Sequence, residues 1–494
     1  MATNSDDIIL GDTNGPINGG DGIDTVVYGL VDTYGLQPDG SIRLSYFAGI
    51  HLATYKVKQA GTTWEVETSR NLSTARLDTL SNIEALQFGD LVFGLVRHVQ
   101  YVSATNVYAV RGAATEVNDI AVTTSLIDNL TSSMVVHVTG GFQGDVLTGH
   151  AGRNLINGLT GADTMNGAGG DDIYIVNDAS DHIIELAGNG FDTVRASVAF
   201  VLPEGAEIER IEAVGYRDPI WHMVFEGKLT GNSLANILIG DAGDSVLDGG
   251  GGADRLEGGY GHDTYIVDSK DLVVELAQHG NDTVIAKESF ASRSGMEIEL
   301  LRFLAPKAKS NFYLYGSNTA NTIIGNAGNN ALKGLNGNDK LSGGLGNDAL
   351  WGGNGSDTLD GGNGIDRLHG DAGNDTLYGG SGNDLLWGGA GKDTFVFNKN
   401  LSKINNVDRI HDFNSSDDTI WLDRKVFRGL DKGKLIPSSF AVGATALDAS
   451  DRIIYDPNTG ALSFDVDGTG NALQIQFAAL KPYTQLQIND FLVV

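Results

Sequence analysis

The stretch from Gly343 to Val396 reads GGLGNDALW, GGNGSDTLD, GGNGIDRLH, GDAGNDTLY, GGSGNDLLW and GGAGKDTFV in consecutive nine-residue pieces. The same frame extends back to Gly316, so nine pieces follow one another without an insertion or a deletion. Each begins with glycine, usually has Asp at position six, and carries a large apolar residue at position eight. Glycine at this density excludes a helix because it loses too much backbone entropy. The pattern predicts a six-residue turn and a short strand, with two pieces per coil and the apolar side chains stacked inside.

The position-six side chains give this stretch its chemistry. Stacked coils bring their carboxylates close together, which is unfavourable unless a cation lies between them. Glycine-rich turns also leave backbone carbonyls open, and carboxylate and carbonyl oxygens are the ligands of a hard cation such as Ca²⁺. A flexible glycine-rich linker would not keep Leu and Asp in fixed phase through nine repeats. The predicted side-chain ligands here are Asn321, Asn330, Asp339, Asp348, Asp357, Asp366, Asp375, Asp384 and Asp393.

These repeats closely resemble the calcium-binding nonapeptides of the RTX (repeats-in-toxin), hemolysin-type proteins, which are exported by type I secretion. The resemblance implies an all-β fold, an elongated parallel β-roll, with several Ca²⁺ ions as its cofactor. It also implies that position six supplies the side-chain ligand, that turn carbonyls supply most of the others, and that turns two repeats apart share each ion. The chain ends NDFLVV, and Asp490 near this apolar terminus resembles the family's uncleaved export signal.

Two shorter arrays precede the main one, at Gly140 to Ile175 and Gly231 to Ile266. Their position-six residues include Asn and Ser, so we expect fewer and weaker ions there than in the main array. A worn copy, GGDGIDTVV, lies at Gly19 to Val27. The predicted ligands in these arrays are Asp24, Asp145, Asn154, Asp163, Asp172, Asp254 and Asp263, with Asn236 and Ser245 at the remaining position-six sites.

The segments that follow the two shorter arrays are copies of each other, offset by about ninety residues. DDIYIVNDASDHIIELAGNGFDTVRASVAF, from Asp171, matches HDTYIVDSKDLVVELAQHGNDTVIAKESF, from His262. A tandem duplication of array plus spacer suits a stacked scaffold better than it suits a single active site. The acidic residues that correspond in the two spacers are Glu185 with Glu275, Asp192 with Asp282, and Glu209 with Glu299.

The predicted organisation has six parts. NVDRIHDFNSSDDTIWLD, from Asn406, resembles the opening of the C-terminal domain of serralysin-type secreted proteins, and hairpin signals follow it. The predicted parts are degenerate repeats at 1–28, a β-rich spacer at 29–139, array plus spacer at 140–230 and again at 231–315, the nine-repeat β-roll at 316–397, and a C-terminal cap with the secretion signal at 398–494.

Composition restricts the partners and the location. The 494-residue chain has 63 acidic and 33 basic residues, a formal net charge of −30, and no cysteine. Nucleic acid is excluded as a partner because phosphate binding needs a basic surface. The N-terminus has no apolar leader, and no apolar run is long enough for a membrane span. With the resemblance, these facts predict a secreted, extracellular or surface-associated protein whose partners are the type I secretion apparatus and, as a possibility left open, a glycan or cell surface.

No catalytic unit is recognisable in the sequence. The chain lacks the His-Glu-x-x-His motif of zincin proteases and the Gly-x-Ser-x-Gly elbow of lipases. The histidines are scattered, and His222 lies in a spacer without catalytic context. We therefore expect a structural, adhesive or host-interaction protein and not an enzyme. The alternatives are a polysaccharide-acting or other extracellular enzyme with an unrecognised catalytic unit, and a bacteriocin or toxin.

Two repeats per coil place residues eighteen apart above one another, which defines one outward column at position nine. That column contains Trp351, His369 and Trp387, together with Tyr315 and Lys333. One hypothesis is a docking strip for a glycan or another domain. The alternative, which we favour at this stage, is cross-strand pairing that stiffens the sheet.

Overall fold

The structure is a computed structural model that gives strands from residue 8 onward. It describes side chains over residues 138–140, 144–188, 190–215, 227–293, 295–402 and 404–494. The described residues form strands, turns and two short 3₁₀ helices, Pro437–Ser439 and Ile488–Asp490, without an α-helix. Within this described part, no helix has the length and apolar character needed to cross a membrane. The chain divides into two compact units, residues 1–237 and 238–494.

The first unit begins with two small sheets. Consecutive antiparallel strands build most of the larger sheet, from Thr33–Leu36 through Ala75–Ser81. Its strands, in sheet order, are Ile17–Asn18, Ala75–Ser81, Thr63–Ser69, His51–Ala60, Ile42–Ala48 and Thr33–Leu36. The smaller sheet contains Ile8–Leu10, Thr25–Tyr28, Ala85–Phe88 and Leu91–Gly94.

The rest of the first unit is a stack of coils in which strands alternate between two parallel sheets. One sheet begins with an antiparallel pair and then becomes parallel. Its strands within the unit are Val99–Val102, Val107–Arg111, Val135–Thr139, Asn154–Asn157, Ile173–Val176, Thr193–Ala196 and Arg210–Ala213. The facing strands are Ala121–Val122, Val146–Thr148, Thr164–Asn166 and His182–Ile184, followed by the pair Phe200–Val201 and Lys228–Thr230.

The second unit repeats this arrangement over more coils. Its longest parallel run contains Val246–Asp248, Thr264–Val267, Thr283–Ala286, Leu300–Phe303, Thr322–Ile324, Lys340–Leu345, Thr358–Asn363, Thr376–Ser381, Thr394–Phe397, Thr419–Leu422 and Phe491–Val493, with Gly433–Lys434 antiparallel at its edge. The facing strands are Ile237–Ile239, Arg255–Glu257 and Leu272–Val274, and then, in a separate sheet, Phe290–Ala291, Tyr313–Tyr315, Ala331–Asn336, Ala349–Asn354, Arg367–Ala372, Leu385–Trp387, Asp408–Ile410, Ile475–Ala479, Ala461–Phe464, Ile453–Asp456 and Phe440–Val442.

The register of the main array confirms two nonapeptides per coil. Leu350 pairs with Leu332 on one side and with Leu368 on the other, an offset of eighteen residues in each direction. Glycine makes this close stacking possible. Gly355 has φ +139°, and a Cβ there would overlap the carbonyl oxygen of Gly337 in the preceding coil. The predicted parallel β-roll is therefore correct, and its glycines are required by backbone contact as well as by turn geometry.

The position-eight side chains form the core of each unit. In the main array they are aliphatic or aromatic and at most 2 % exposed. The column of the second unit includes Leu314, Ile323, Leu332, Leu341, Leu350, Leu359, Leu368, Leu377, Leu386 and Phe395. Burying one such side chain stabilises the folded state by about 2 kcal/mol, so the column is a continuous source of stability along the array.

The two spacers continue the coil. Ile183, Val194 and Ile211 take the inward place in the first spacer, and all three are buried. Val273, Val284 and Leu301 do the same in the second spacer, and they too are buried. The glycine-rich signature has gone, but the inward apolar residue of each strand remains. The spacers are therefore coils with longer turns, which the nonapeptide pattern does not show.

The two sheets of the main array run on past Phe397 through Asp408–Ile410 and Thr419–Leu422 into the C-terminal part. There, Ile453–Asp456, Ala461–Phe464 and Ile475–Ala479 form the antiparallel hairpins expected from the sequence. An aromatic cluster closes this end, in which the rings of Phe397, Phe427, Phe464 and Phe477 meet edge to face. The C-terminal part thus covers the last coil with an apolar cap.

Candidate metal centre

The position-six side chains of the main array form a ladder of hydrogen bonds between coils. In each rung, one carboxylate oxygen accepts the backbone N–H of the position-six residue eighteen positions earlier. For example, Asp366 Oδ1 accepts the N–H of Asp348 at 2.7 Å, and Asp384 Oδ1 accepts the N–H of Asp366 at 2.9 Å. The N–H donors of the seven rungs with this spacing are Asn321, Asn330, Asp339, Asp348, Asp357, Asp366 and Asp375.

The second carboxylate oxygen of these aspartates, Oδ2, is buried and has no hydrogen-bond partner among the described residues. A buried oxygen acceptor without a donor is costly, and a charged one is more costly still. The same orphaned atom recurs at every position-six Asp of the main array and at three aspartates of the shorter arrays. The residues concerned are Asp163, Asp172, Asp263, Asp339, Asp348, Asp357, Asp366, Asp375, Asp384 and Asp393.

Backbone carbonyls face the orphaned oxygens. A Cβ added to Gly361, at position one, would lie 2.5 Å from Asp366 Oδ2 and 2.6 Å from the carbonyl oxygen of Gly379. The aspartate of one turn and the glycine carbonyl of the next coil therefore open on the same small space. Glycine at position one keeps this space free, because any side chain would fill it.

Burial raises the pKa of these carboxylates in the ion-free fold. The pKa of Asp366 rises from 3.8 to about 7, mainly through burial, and the nearby charges of Asp384 and Asp348 add to the effect. Burial likewise raises the pKa of Asp339 and of Asp375 to about 7, although each accepts a backbone hydrogen bond that acts in the opposite direction. The ladder is therefore unfavourable as a row of bare anions near neutral pH and favours either protons or cations.

This donor set fits calcium. Carboxylate oxygens without partners and open backbone carbonyls are the oxygen ligands of a hard divalent cation, and Ca²⁺ accepts six to eight of them in flexible geometry. The chain contains no cysteine, so no thiolate competes for a softer metal. The residues that would hold the ions are the position-six aspartates, together with turn carbonyls such as that of Gly379. The cation would supply the positive charge that the orphaned oxygens lack.

The asparagine side chains at position six have hydrogen-bond partners within the protein. Asn154 Nδ2 donates to the carbonyl oxygens of His150 and Gly152, at 2.9 and 2.6 Å, and to Asp172 Oδ1 at 2.8 Å. Asn321 Nδ2 donates to the carbonyl oxygen of Ile298. An amide N–H thus meets oxygens that a cation would otherwise contact. A role for Asn154, Asn321 and Asn330 as ligands remains a prediction.

The other predicted ligands are placed as follows. Asp145, Asp254 and Asp263 are buried at position six of the shorter arrays, and Asp145 and Ser245 donate their N–H groups to Asp163 Oδ1 and Asp263 Oδ1. Asp24 lies outside the described residues, and so does His222.

Sequence reasoning missed several rungs because they lie outside the nonapeptide pattern. Asp181, Asp192 and Glu209 extend the ladder through the first spacer, where each accepts the N–H of an earlier rung. The corresponding residues of the second spacer are Asp271, Asp282 and Glu299, and Asp408 and Asp418 continue the main array. One feature of the sequence could have identified these residues: each is acidic and stands two positions before an inward apolar side chain.

The outward column forms a stack of rings. His369 lies between Trp351 and Trp387, with ring centroids 5.8 and 4.3 Å away and planes 7° apart in both cases. His411, which the eighteen-residue count could not reach, adds a fourth ring 4.2 Å from Trp387. The Lys333 ammonium lies 5.1 Å from the centre of the Trp351 ring. The faces of these rings stack against one another, as expected for cross-strand pairing. The docking-strip hypothesis stays a prediction.

A family model described as the RTX calcium-binding nonapeptide repeat (4 copies) matches all three arrays. Comparison with curated proteins finds no match. The matched residues are 139–174, 230–265, 315–350, 324–359, 334–368 and 360–395. They contain the rungs with orphaned oxygens in the arrays, so the repeat match and the geometry agree on where cations would bind.

Proposed function

The chain is an RTX hemolysin-type calcium-binding repeat protein, and from this premise we propose that calcium binding by its arrays drives its folding outside the cell. The observation that carries the proposal is the row of buried, unpartnered Oδ2 atoms at position six. Each ion bound there would neutralise charge that the ion-free coil must bury. Binding free energy would therefore appear directly as folding free energy.

The coupling gives a physical reason for export of an unfolded chain. RTX repeat proteins are typically secreted. Where calcium is scarce, the acidic arrays repel themselves, which favours an unfolded chain that can pass through the type I secretion apparatus. Extracellular-type sites fill at about 10⁻⁴–10⁻³ M calcium, so the roll would form outside the cell. The uncleaved C-terminal signal belongs to this proposal. In the folded chain Asp490 is buried and accepts hydrogen bonds from Gln487 and Ser415, so the signal would be readable only before folding.

For the folded protein we propose a structural or adhesive role in the surroundings of the cell. The duplicated array and spacer supply a scaffold whose coils repeat the same contacts, and a repeated scaffold supports extended surfaces better than a single catalytic pocket. An extracellular enzyme acting on polysaccharide and a bacteriocin or toxin are the competing proposals. Activity of the purified protein on glycans would favour the enzyme, and killing of target cells would favour the bacteriocin or toxin.

Circular dichroism of the purified full chain, in chelator and in millimolar calcium, tests the folding proposal, with calcium calorimetry on the same sample. We expect a transition from coil to β structure on adding calcium and its reversal by chelator. Magnesium at the same concentration is the control, because it keeps its water shell and demands stricter geometry. A chain that is fully β in chelator at neutral pH would refute coupling between ion binding and folding.

A further inference from the structure

Each spacer begins with a buried group of three carboxylates. In the first unit, Asp172, Glu185 and Asp192 bring one carboxylate oxygen each to within 4.8 Å of one another. The three residues are 1, 3 and 1 % exposed. Only Asp172 belongs to a nonapeptide, so two members of the group lie outside the repeat pattern. An acidic group buried this deeply needs a compensating charge.

An orphaned oxygen lies inside this group. Asp172 Oδ1 accepts N–H groups from Asn154, whereas Asp172 Oδ2 is buried without a partner in the described part of the chain. A Cβ on Gly167 would overlap both Asp172 Oδ2 and the Tyr174 hydroxyl, and that hydroxyl donates to Glu185. The unpartnered oxygen and the tyrosine–glutamate pair therefore face the same space.

Glu185 takes a place that glycine holds in an ordinary coil. It follows Gly167, a position-one glycine, by eighteen residues. In an ordinary coil, the corresponding glycine offers a carbonyl to the aspartate, as Gly379 does for Asp366. The spacer thus places a carboxylate side chain where an ordinary coil has a glycine. Tyr174 holds this carboxylate in place, because its hydroxyl accepts the N–H of Gly167 at 2.7 Å and donates to Glu185.

The second spacer, which is a copy of the first, contains the same group. Asp263, Glu275 and Asp282 also meet within 4.8 Å and are 1, 4 and 2 % exposed. Asp263 Oδ2 is again without a partner among the described residues. Tyr265 donates to Glu275 and accepts the N–H of Gly258 at 2.9 Å. The duplication accounts for the recurrence of the group, and in each copy the buried aspartate oxygen lacks a partner in the described part of the chain.

Both groups lie where a sheet ends. His182–Ile184 is the last strand of its four-stranded sheet, and Glu185 follows it directly. Leu272–Val274 is likewise the last strand of its sheet, and Glu275 follows it. A terminal strand lacks backbone partners on one side. A cation held by the glutamate and by aspartates of the facing coils would tie this edge to the stack.

We propose that each group binds one divalent, oxygen-preferring cation such as Ca²⁺, with Asp172, Glu185 and Asp192 as ligands in one spacer and Asp263, Glu275 and Asp282 in the other. The inference rests on the proposed calcium binding, because Asp172 and Asp263 are also rungs of the arrays. Three carboxylates in one site raise its affinity above that of array sites, since affinity increases with ligand charge. The spacer sites therefore fill first and fasten the ends of the two shorter arrays.

Equilibrium dialysis of the full chain over a range of free calcium, with bound calcium counted by atomic emission, tests the proposal. The variant combines Glu185→Gln with Glu275→Gln. Its control combines Glu207→Gln with Glu297→Gln, which makes the same charge change in the same spacers but outside both groups. At low free calcium we expect wild type and control to hold two ions per chain and the variant to hold none, while all three gain further ions at millimolar calcium.

Equal ion counts for the variant and wild type at every calcium concentration would overturn the spacer sites and leave the arrays intact. A wild type that holds no more than two ions at millimolar calcium would refute array binding instead. Terbium luminescence on the wild type avoids any folding defect of the variant. Tyr174 and Tyr265 adjoin the sites, so tyrosine-excited emission should rise with the first two equivalents of terbium, and its absence over those equivalents would also overturn the proposal.

Discussion

Replacement of Asp366 by asparagine should change stability in opposite directions with and without calcium. Asp366 is fully buried; its Oδ1 accepts the N–H of Asp348 at 2.7 Å and its Oδ2 has no partner in the described structure. Asparagine keeps the accepting oxygen and removes the charge. In chelator at neutral pH the variant should therefore be more stable than wild type, and in calcium it should be less stable because one ligand has gone.

The magnitude in chelator follows from the pKa. The pKa of Asp366 rises from 3.8 to about 7 on folding, chiefly through burial. A raised carboxylate pKa means that the ion-free folded state binds the proton more tightly than the unfolded state does. Stability is therefore greatest below pH 3.8 and is lost as pH rises through about 7. The full shift corresponds to about 4 kcal/mol, and we expect roughly half, about 2 kcal/mol, because relaxation of the chain and water penetration reduce the cost of a buried charge.

The assay is urea unfolding followed by circular dichroism. Measurements in chelator use a constant concentration of sucrose, an uncharged osmolyte that strengthens the folded state at both pH 8 and pH 4. At pH 8 in chelator, Asp366→Asn should gain about 2 kcal/mol, and most of this gain should disappear at pH 4. In saturating calcium at pH 8 it should lose at least about 1–3 kcal/mol, the range for leaving a buried polar partner unsatisfied.

Asp371→Asn is the matched control, because Asp371 is exposed in the same array and its φ of +72° suits asparagine. It should change stability by less than about 0.5 kcal/mol in all three conditions. If Asp366→Asn were destabilising in chelator at pH 8 by as much as in calcium, the orphaned oxygen would not be an uncompensated charge, and the reasoning would fail.

Three further changes test the glycine contacts between coils, the buried apolar column and the outward stack of rings. Gly355→Ala should reduce stability by about 3 kcal/mol or more, because its Cβ overlaps the preceding coil, whereas Gly433→Ala, with φ +110° and open space, should lose about 1 kcal/mol by urea unfolding in calcium. Leu368→Ala should lose about 3 kcal/mol in the same assay, since Leu368 is fully buried in the column. Trp351→Ser with Trp387→Ser should leave the number of bound calcium ions unchanged; unaltered binding to glycan arrays or cell surfaces with the fold intact would end the docking hypothesis.

The arrays could be predicted in detail because their geometry is local and repeated. The spacing from Asp348 to Leu350, and the eighteen-residue return from Leu350 to Leu368, follow from a fixed nine-residue unit, and the pairings agree. The glycines, the inward leucines and the acidic rungs are all determined by contacts with the adjacent coil. A pattern repeated nine times records those contacts in the sequence itself.

The spacers could not be predicted in the same way, since their turns differ in length and their glycines no longer follow the nonapeptide spacing. Asp192 and Glu209 stand at rungs only because Val194 and Ile211 still pack inside, and no fixed count from the array leads to them. His411 joins the ring stack through a twenty-four-residue return from Trp387 for the same reason.

The sequence by itself therefore determined the repeating coil, its apolar column and its acidic rungs, because each depends on neighbours at a constant separation along the chain. Only the tertiary structure decided which oxygen of each aspartate is used by a backbone N–H and which is left for a cation. It alone brought Glu185 and Asp192 to Asp172. Such groupings depend on how variable turns fold back onto the stack, and residue spacing does not specify that path.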